Sequence, residues 1–194
     1  MKIIIFSLII FGLFQLSYSQ KKELKTIDKH IKAQEYESAL NTINSIKTLV
    51  DAADDKTKAK YYYLKGMARY QNGNGSFDNK ILSIKDFNEA KKIEKSGSKI
   101  YTAKIDNIFT NLFNSFINDS RTALEVKNYK NSYLNLEAAY NVSNKDTLYL
   151  YNAALVATEA KDYNIALGFY EKLIELGYSG VSMMTNSSDK TIGS

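Results

Sequence analysis

The stretch Lys161–Leu176, KDYNIALGFYEKLIEL, recurs along the chain, and that recurrence constrains the fold more than any other feature. Asp162 precedes Tyr163, the small residue Ala166 stands three positions beyond the Tyr, and large apolar residues follow at helical spacing. Thirty-four residues earlier the phrase reads Asn128-Tyr129-Lys130-Asn131-Ser132-Tyr133. Near the start it reads Glu35-Tyr36-Glu37-Ser38-Ala39-Leu40. A period of about 34 residues holds two helices per unit, and each unit buries its apolar face against the next.

Proline is absent and the nine glycines fall mostly at breaks, which predicts long helices and little sheet. The first pair is Lys21–Ala33 and Tyr36–Val50; in the latter Ala39, Leu40, Ile43, Ile46 and Val50 recur at three- and four-residue steps. Asp51–Lys58 is a polar turn whose acids suit a helix N-terminus. The second pair opens at Lys60 and closes with a helix over Asn79–Glu94, ended by Gly97 as a left-handed cap. From Lys99 to Lys127 the apolar residues Ile105, Ile108, Phe109, Leu112, Phe113, Phe116 and Ile117 keep one helical spacing, which predicts a single long or kinked helix. Tyr129–Val142 completes the third pair, and Thr147–Ala160 with Tyr163–Leu176 forms the fourth. Asn144 and Gly177 act as helix stops, and Ser179–Ser194 is polar and without period, read as a disordered tail or an interrupted element.

Particular residues carry a family resemblance. Tyr62, Gly66, Ala68 and Tyr70 give the aromatic–Gly–small–aromatic order of a tetratricopeptide first helix. Ser83, Phe87 and Ala90 take the matching second-helix positions, as do Ser132, Leu136 and Ala139, and then Ala166, Tyr170 and Leu173. Ala154 stands where the fourth pair would carry Gly. The chain thus resembles the exported tetratricopeptide proteins of Gram-negative bacteria. It departs from them in lacking the proline that ends each repeat, and in the longer turn Asn72-Gly73-Asn74-Gly75-Ser76-Phe77. The resemblance implies an all-α, right-handed helix-turn-helix solenoid of about four repeats, over residues 20–50, 58–95, 99–144 and 145–178.

The N-terminus reads as a separate signal. Met1-Lys2 is followed by an apolar run from Ile3 to Leu16, broken only by Ser7, Gly12 and Gln15, and then by Ser17-Tyr18-Ser19 as a small-x-small cleavage site. That order predicts a secretory signal peptide over residues 1–19 with Gln20 as the first mature residue, because a spanning helix needs roughly 20 apolar residues. The mature chain is then expected in the periplasm or outside the cell, with no stable membrane span. Cysteine is absent, so disulfides and thiol chemistry are excluded. The 26 basic and 21 acidic side chains give a net charge of +5, and Lys and Glu alternate instead of forming blocks. Even the densest basic stretch, Lys21-Lys22-Glu23-Leu24-Lys25, is interrupted by an acid, so a solvated helix face is expected there and no nucleic-acid patch.

No catalytic, cofactor or metal constellation emerges. His30 is the sole histidine and reads as a solvated surface residue, with no Cys or second His to complete a metal site. Gly73 and Gly75 lack the third Gly and the Gly-Lys-Ser/Thr of a phosphate loop. Read as a calcium loop, Asn72–Ser83 lacks the acidic first ligand and the closing Glu. The acids Asp51, Asp54 and Asp55 read as helix-capping residues, with weak cation chelation as the alternative. No serine stands in a nucleophile-elbow pattern.

Most of the 15 tyrosines fall where the repeat needs packing, and Tyr62, Tyr129, Tyr163 and Tyr170 are expected in the core. In the family the concave groove is lined by first-helix residues facing away from the second helix. Carried across, these are Tyr63, Met67 and Tyr70; Ile117, Arg121 and Leu124; and Tyr151, Leu155 and Thr158. Such a groove suits an apolar helix or extended peptide, although the same positions adjoin those that pack on the neighbouring repeat. The Lys and Asn clamp by which chaperone-binding members hold a terminal carboxylate is missing, its places being taken by Leu24 and Asp28, Tyr63 and Met67, Ile117 and Arg121, and Tyr151 and Leu155. The expected function is a non-catalytic scaffold for a protein or peptide partner. The alternative is a glycan- or lipid-binding module with Tyr63, Tyr70 and Tyr151 as platforms. The last helix, left without a polar cap, is expected to expose Leu167, Tyr170 or Ile174, pointing to a docked partner, self-association or a longer natural chain.

Overall fold

The computed structural model describes residues 20–72, 76–95, 97, 99–143 and 146–180. Among these there is no strand: nine helices pack in neighbouring pairs. The expected signal peptide over 1–19, the stop at Asn144 and most of the polar tail lie outside the described residues. No described helix is long and apolar enough to cross a membrane. In chain order the helices are α1 (20–32), α2 (Tyr36–Ser45), α3 (Lys47–Asp51), α4 (Asp55–Gln71), α5 (Phe77–Glu94), α6 (Thr102–Glu125), α7 (Tyr129–Val142), α8 (Thr147–Glu159) and α9 (Tyr163–Glu175). The chain forms two compact units that divide between Phe113 and Asn114, inside the unbroken α6.

In the first unit α2 and α3 pack on α4, and α4 packs on α5. Its core joins Leu24, Ile27 and Ile31 of α1 to Ala39, Ile43, Ile46 and Val50, and to Tyr61, Leu64 and Ala68 of α4. The helix expected over Tyr36–Val50 is broken at Ile46. There the Ser45 hydroxyl donates to the Thr42 carbonyl at 2.8 Å, competing with the Ile46 amide, which reaches the same oxygen at 3.3 Å. α4 begins earlier than the expected turn allowed, because Asp54 caps it by accepting from the Thr57 amide at 2.7 Å. That hydrogen bond also holds the Asp54 carboxyl below its usual value. α5 begins at Phe77, two residues before the expected start, with the Ser76 hydroxyl as cap.

Gly97 is not a left-handed cap, since its φ lies outside that region. The connection is held instead by Glu94, only 5 % exposed, which accepts from the Tyr101 amide at 2.9 Å and from the Thr102 amide and hydroxyl at 2.8 Å. A carboxylate that closes α5 therefore caps the start of α6, where negative charge is favoured.

In the second unit α7 packs on α8 and α8 on α9. Its core holds Tyr133, Leu136 and Tyr140 of α7, Leu150, Ala153, Ala154 and Ala157 of α8, and Ala166, Phe169 and Leu173 of α9. The first-helix small position is filled by Ser120 in α6, whose hydroxyl meets that of Ser132 at 2.8 Å, both side chains being buried. Tyr163 departs from its expected place in the core: it opens α9 and is 64 % exposed. Tyr62, Tyr129 and Tyr170 are half-buried.

Helix ends explain the recurring phrase. After α9, the Gly177 amide bonds to Ile174 O and the Tyr178 amide to Leu173 O, with Gly177 at φ +71. This paired bonding around a left-handed residue is a Schellman motif. The same pattern surrounds Gln34 (φ 62), Lys127 (φ 56) and Lys161 (φ 62), none of them glycine. Each of those three is followed after one residue by the Tyr that opens the next helix: Tyr36, Tyr129 and Tyr163.

Candidate functional site

On α4, Tyr63, Met67 and Tyr70 follow one another at helical spacing and all three are half-buried. Tyr63 and Met67 pack against the core of the first unit. The Tyr63 ring stacks on Tyr101 at 4.6 Å and 23° between planes, with Phe87 6.2 Å away on another side. Burial raises the hydroxyl pKa of both Tyr63 and Tyr101. Tyr63 and Met67 therefore pack against their own unit.

The second unit differs. Ile117 and Tyr151 both pack against its core, and the Tyr151 ring lies 5.5 Å from Tyr178. Around them Arg121 and Thr158 are exposed, Leu124 is 39 % exposed and Leu155 44 %. The Thr158 hydroxyl is turned back onto its own helix, donating to Ala154 O at 2.9 Å. One turn ahead, Leu148 extends the α8 row and is 49 % exposed. Leu148 was not singled out from the sequence, although its seven-residue spacing to Leu155 marks it. The nine expected groove residues thus split into a packed set on α4 and a partly open set on α6 and α8.

A second concavity was not anticipated. Between α7 and α9 lies a cavity of about 650 Å³, floored by Tyr133, Leu134 and Phe169 and edged by Lys130, Glu137 and Lys172. Gly168 lines it, and a Cβ built there meets nothing within 4 Å. Both its walls are second helices, where the family resemblance places no groove. The Tyr133 hydroxyl donates to Asp162 at 3.0 Å, and Lys172 lies 4.7 Å from the centre of the Tyr140 ring.

The titratable groups of the first unit serve packing. Asp86 is 5 % exposed and is gripped by Arg69 at 2.5 Å and Lys65 at 3.3 Å, both from α4. Burial raises its carboxyl above the usual value, and the two cations oppose that rise. Tyr61 is pushed up to about 12 by burial, and its hydroxyl donates to Ile43 O at 3.3 Å. His30 is not simply solvated: its Nδ1 meets the Glu35 carboxylate at 2.5 Å, across the turn that ends α1. Among the described residues no group of three or more His, Asp or Glu side chains is arranged to hold a metal ion. Comparison of the chain with family models, with curated proteins and with solved structures finds no match.

Proposed function

We propose that the chain is an exported, tetratricopeptide-like array that acts without catalysis, holding an apolar segment of a partner protein on the first-helix faces of its second unit. The array reading is supported by recurrence in both sequence and backbone. The same Schellman turn around Gln34, Lys127 and Lys161 leads into the same Tyr, and the last two instances stand 34 residues apart.

The observation that carries the docking reading is that first-helix positions of the second unit stay open, Leu148 and Leu155 on α8 and Leu124 with Arg121 on α6. Apolar side chains left open beside one exposed cation suit a segment of apolar residues carrying an acid. The glycan or lipid reading relied on Tyr63, Tyr70 and Tyr151 as platforms; with Tyr63 stacked on Tyr101 and Tyr151 against Tyr178, no observation favours it.

The test uses residues 20–194 as bait in a native envelope extract, beside a Leu124→Asp/Leu155→Asp variant. Both leucines are partly exposed, so the variant keeps its helical circular dichroism. A captured protein, purified and titrated back, is expected to bind the variant at least about tenfold more weakly, or about 1.4 kcal/mol. Arg121→Glu is expected to weaken the same complex. Equal binding by the wild type and the Leu variant would sink the reading.

A further inference from the structure

We infer that the outward face of α9 is a second docking surface, and that it receives an amphipathic helix of the α8 kind carried by a partner protein. The face is a row of Tyr163, Leu167, Tyr170 and Ile174, at steps of four, three and four residues. Tyr163 is 64 % exposed, Leu167 56 % and Ile174 75 %, while Tyr170 is half-buried. The three exposures recur at helical spacing, so they form one row along the helix instead of lying scattered.

The chain itself shows what such a row receives. Thirty-four residues earlier the equivalent positions on α7 are Tyr129, Tyr133, Leu136 and Tyr140. There Tyr133, Leu136 and Tyr140 are 3 %, 8 % and 2 % exposed. They share one core with Leu150, Ala153, Ala154 and Ala157 of α8, the helix packed on α7, and with Ala166, Phe169 and Leu173 of α9, whose Phe169 meets the Tyr133 ring edge-on. The three alanines leave room along α8 for the large side chains of α7, as ridges enter a groove. α9 repeats the large row of α7, but α8 packs on its other side, that of Ala166, Phe169 and Leu173, and the row itself stays open.

Other occupants fit less well. Two copies joined through this row would set Tyr, Leu and Ile against the same residues, large against large. A second copy offering α1 would bring the outward residues Lys22, Lys25, Lys29 and Lys32, which are charged. Within residues 181–194 the apolar residues are Val181, Met183, Met184 and Ile192, without the three-and-four spacing of α8.

The probe is a fluorescent peptide of the α8 sequence, Asp146–Ala160, titrated against residues 20–194 by anisotropy. Saturable binding is expected, weakened at least about tenfold by Leu167→Arg/Ile174→Arg in the chain. Both positions are exposed, so circular dichroism will report an intact fold. A peptide carrying Ala153→Leu, Ala154→Leu and Ala157→Leu is expected to lose binding, because its small row is filled. The Leu124→Asp/Leu155→Asp chain should bind the parent peptide unchanged, which separates this surface from the first. Absence of saturable binding, or equal binding by the Arg variant, overturns the inference. So does binding that arises only after residues 181–194 are removed, which would make that segment the occupant. A dimer in analytical ultracentrifugation that the Arg variant abolishes would make a second copy the occupant and overturn it likewise.

Discussion

At Gly66 a missing side chain sets how closely α4 and α5 approach. A Cβ placed there would lie 2.6 Å from two ring atoms of Phe87, which is fully buried and has no room to move. Alanine favours a helix over glycine by about 1 kcal/mol, but the collision costs about 1–3 kcal/mol. Gly66→Ala is therefore expected to lower stability by up to about 2 kcal/mol in urea unfolding, and Phe87→Leu in the same chain should recover part of the loss. The position was legible in the sequence from its aromatic and small neighbours, but its contact was not. Tyr61 gives a pH signature. Its folded hydroxyl titrates at about 12 against an ordinary value of 10.0, so its contribution is whole below the ordinary value and is lost as pH rises toward the folded one. Tyr61→Phe is expected to cost about 1 kcal/mol at neutral pH, by loss of the bond to Ile43 O. Between about pH 10 and 12 it should make the decline in unfolding free energy shallower.

The elements themselves follow from local pattern, and their irregularities follow from single side chains. α7 spans the expected Tyr129–Val142, while α8 and α9 stop one residue short of expectation. Apolar spacing and the Asn, Asp and Gly punctuation between helices are local signals, and they survive folding. The break at Ile46 lies within a continuous apolar pattern, because the Ser45 hydroxyl decides it by taking a share of the Thr42 carbonyl. The start of α6 was likewise hidden, since its cap comes from Glu94 seven and eight residues upstream of the groups it serves. The Schellman turns carry a prediction of their own. Lys161 holds φ 62, a conformation that costs a residue with a Cβ about 1–2 kcal/mol and glycine much less. Lys161→Gly is expected to raise the unfolding free energy by about 0.5–1 kcal/mol, measured by chemical denaturation at constant slope.

Across the whole molecule, the all-helical class and the pairing of successive helices were legible from the chain alone, through helical apolar spacing, the absence of proline and the 34-residue recurrence. Those depend on backbone propensity and on which face of each helix is apolar, and both are written locally. What only the tertiary structure decided is which apolar faces find a neighbour. Tyr133 and Leu167 occupy the same place in the repeat, yet one is 3 % exposed and the other 56 %. Tyr63 carries the groove pattern but stacks on Tyr101, whereas Leu155 carries it and stays open. The cavity between α7 and α9 belongs to this class as well, since the recurring phrase that opens both helices does not specify the gap left between them. A period names the face that requires a partner; whether another helix lies within reach of that face is a property of three-dimensional packing, and burial follows from that packing alone.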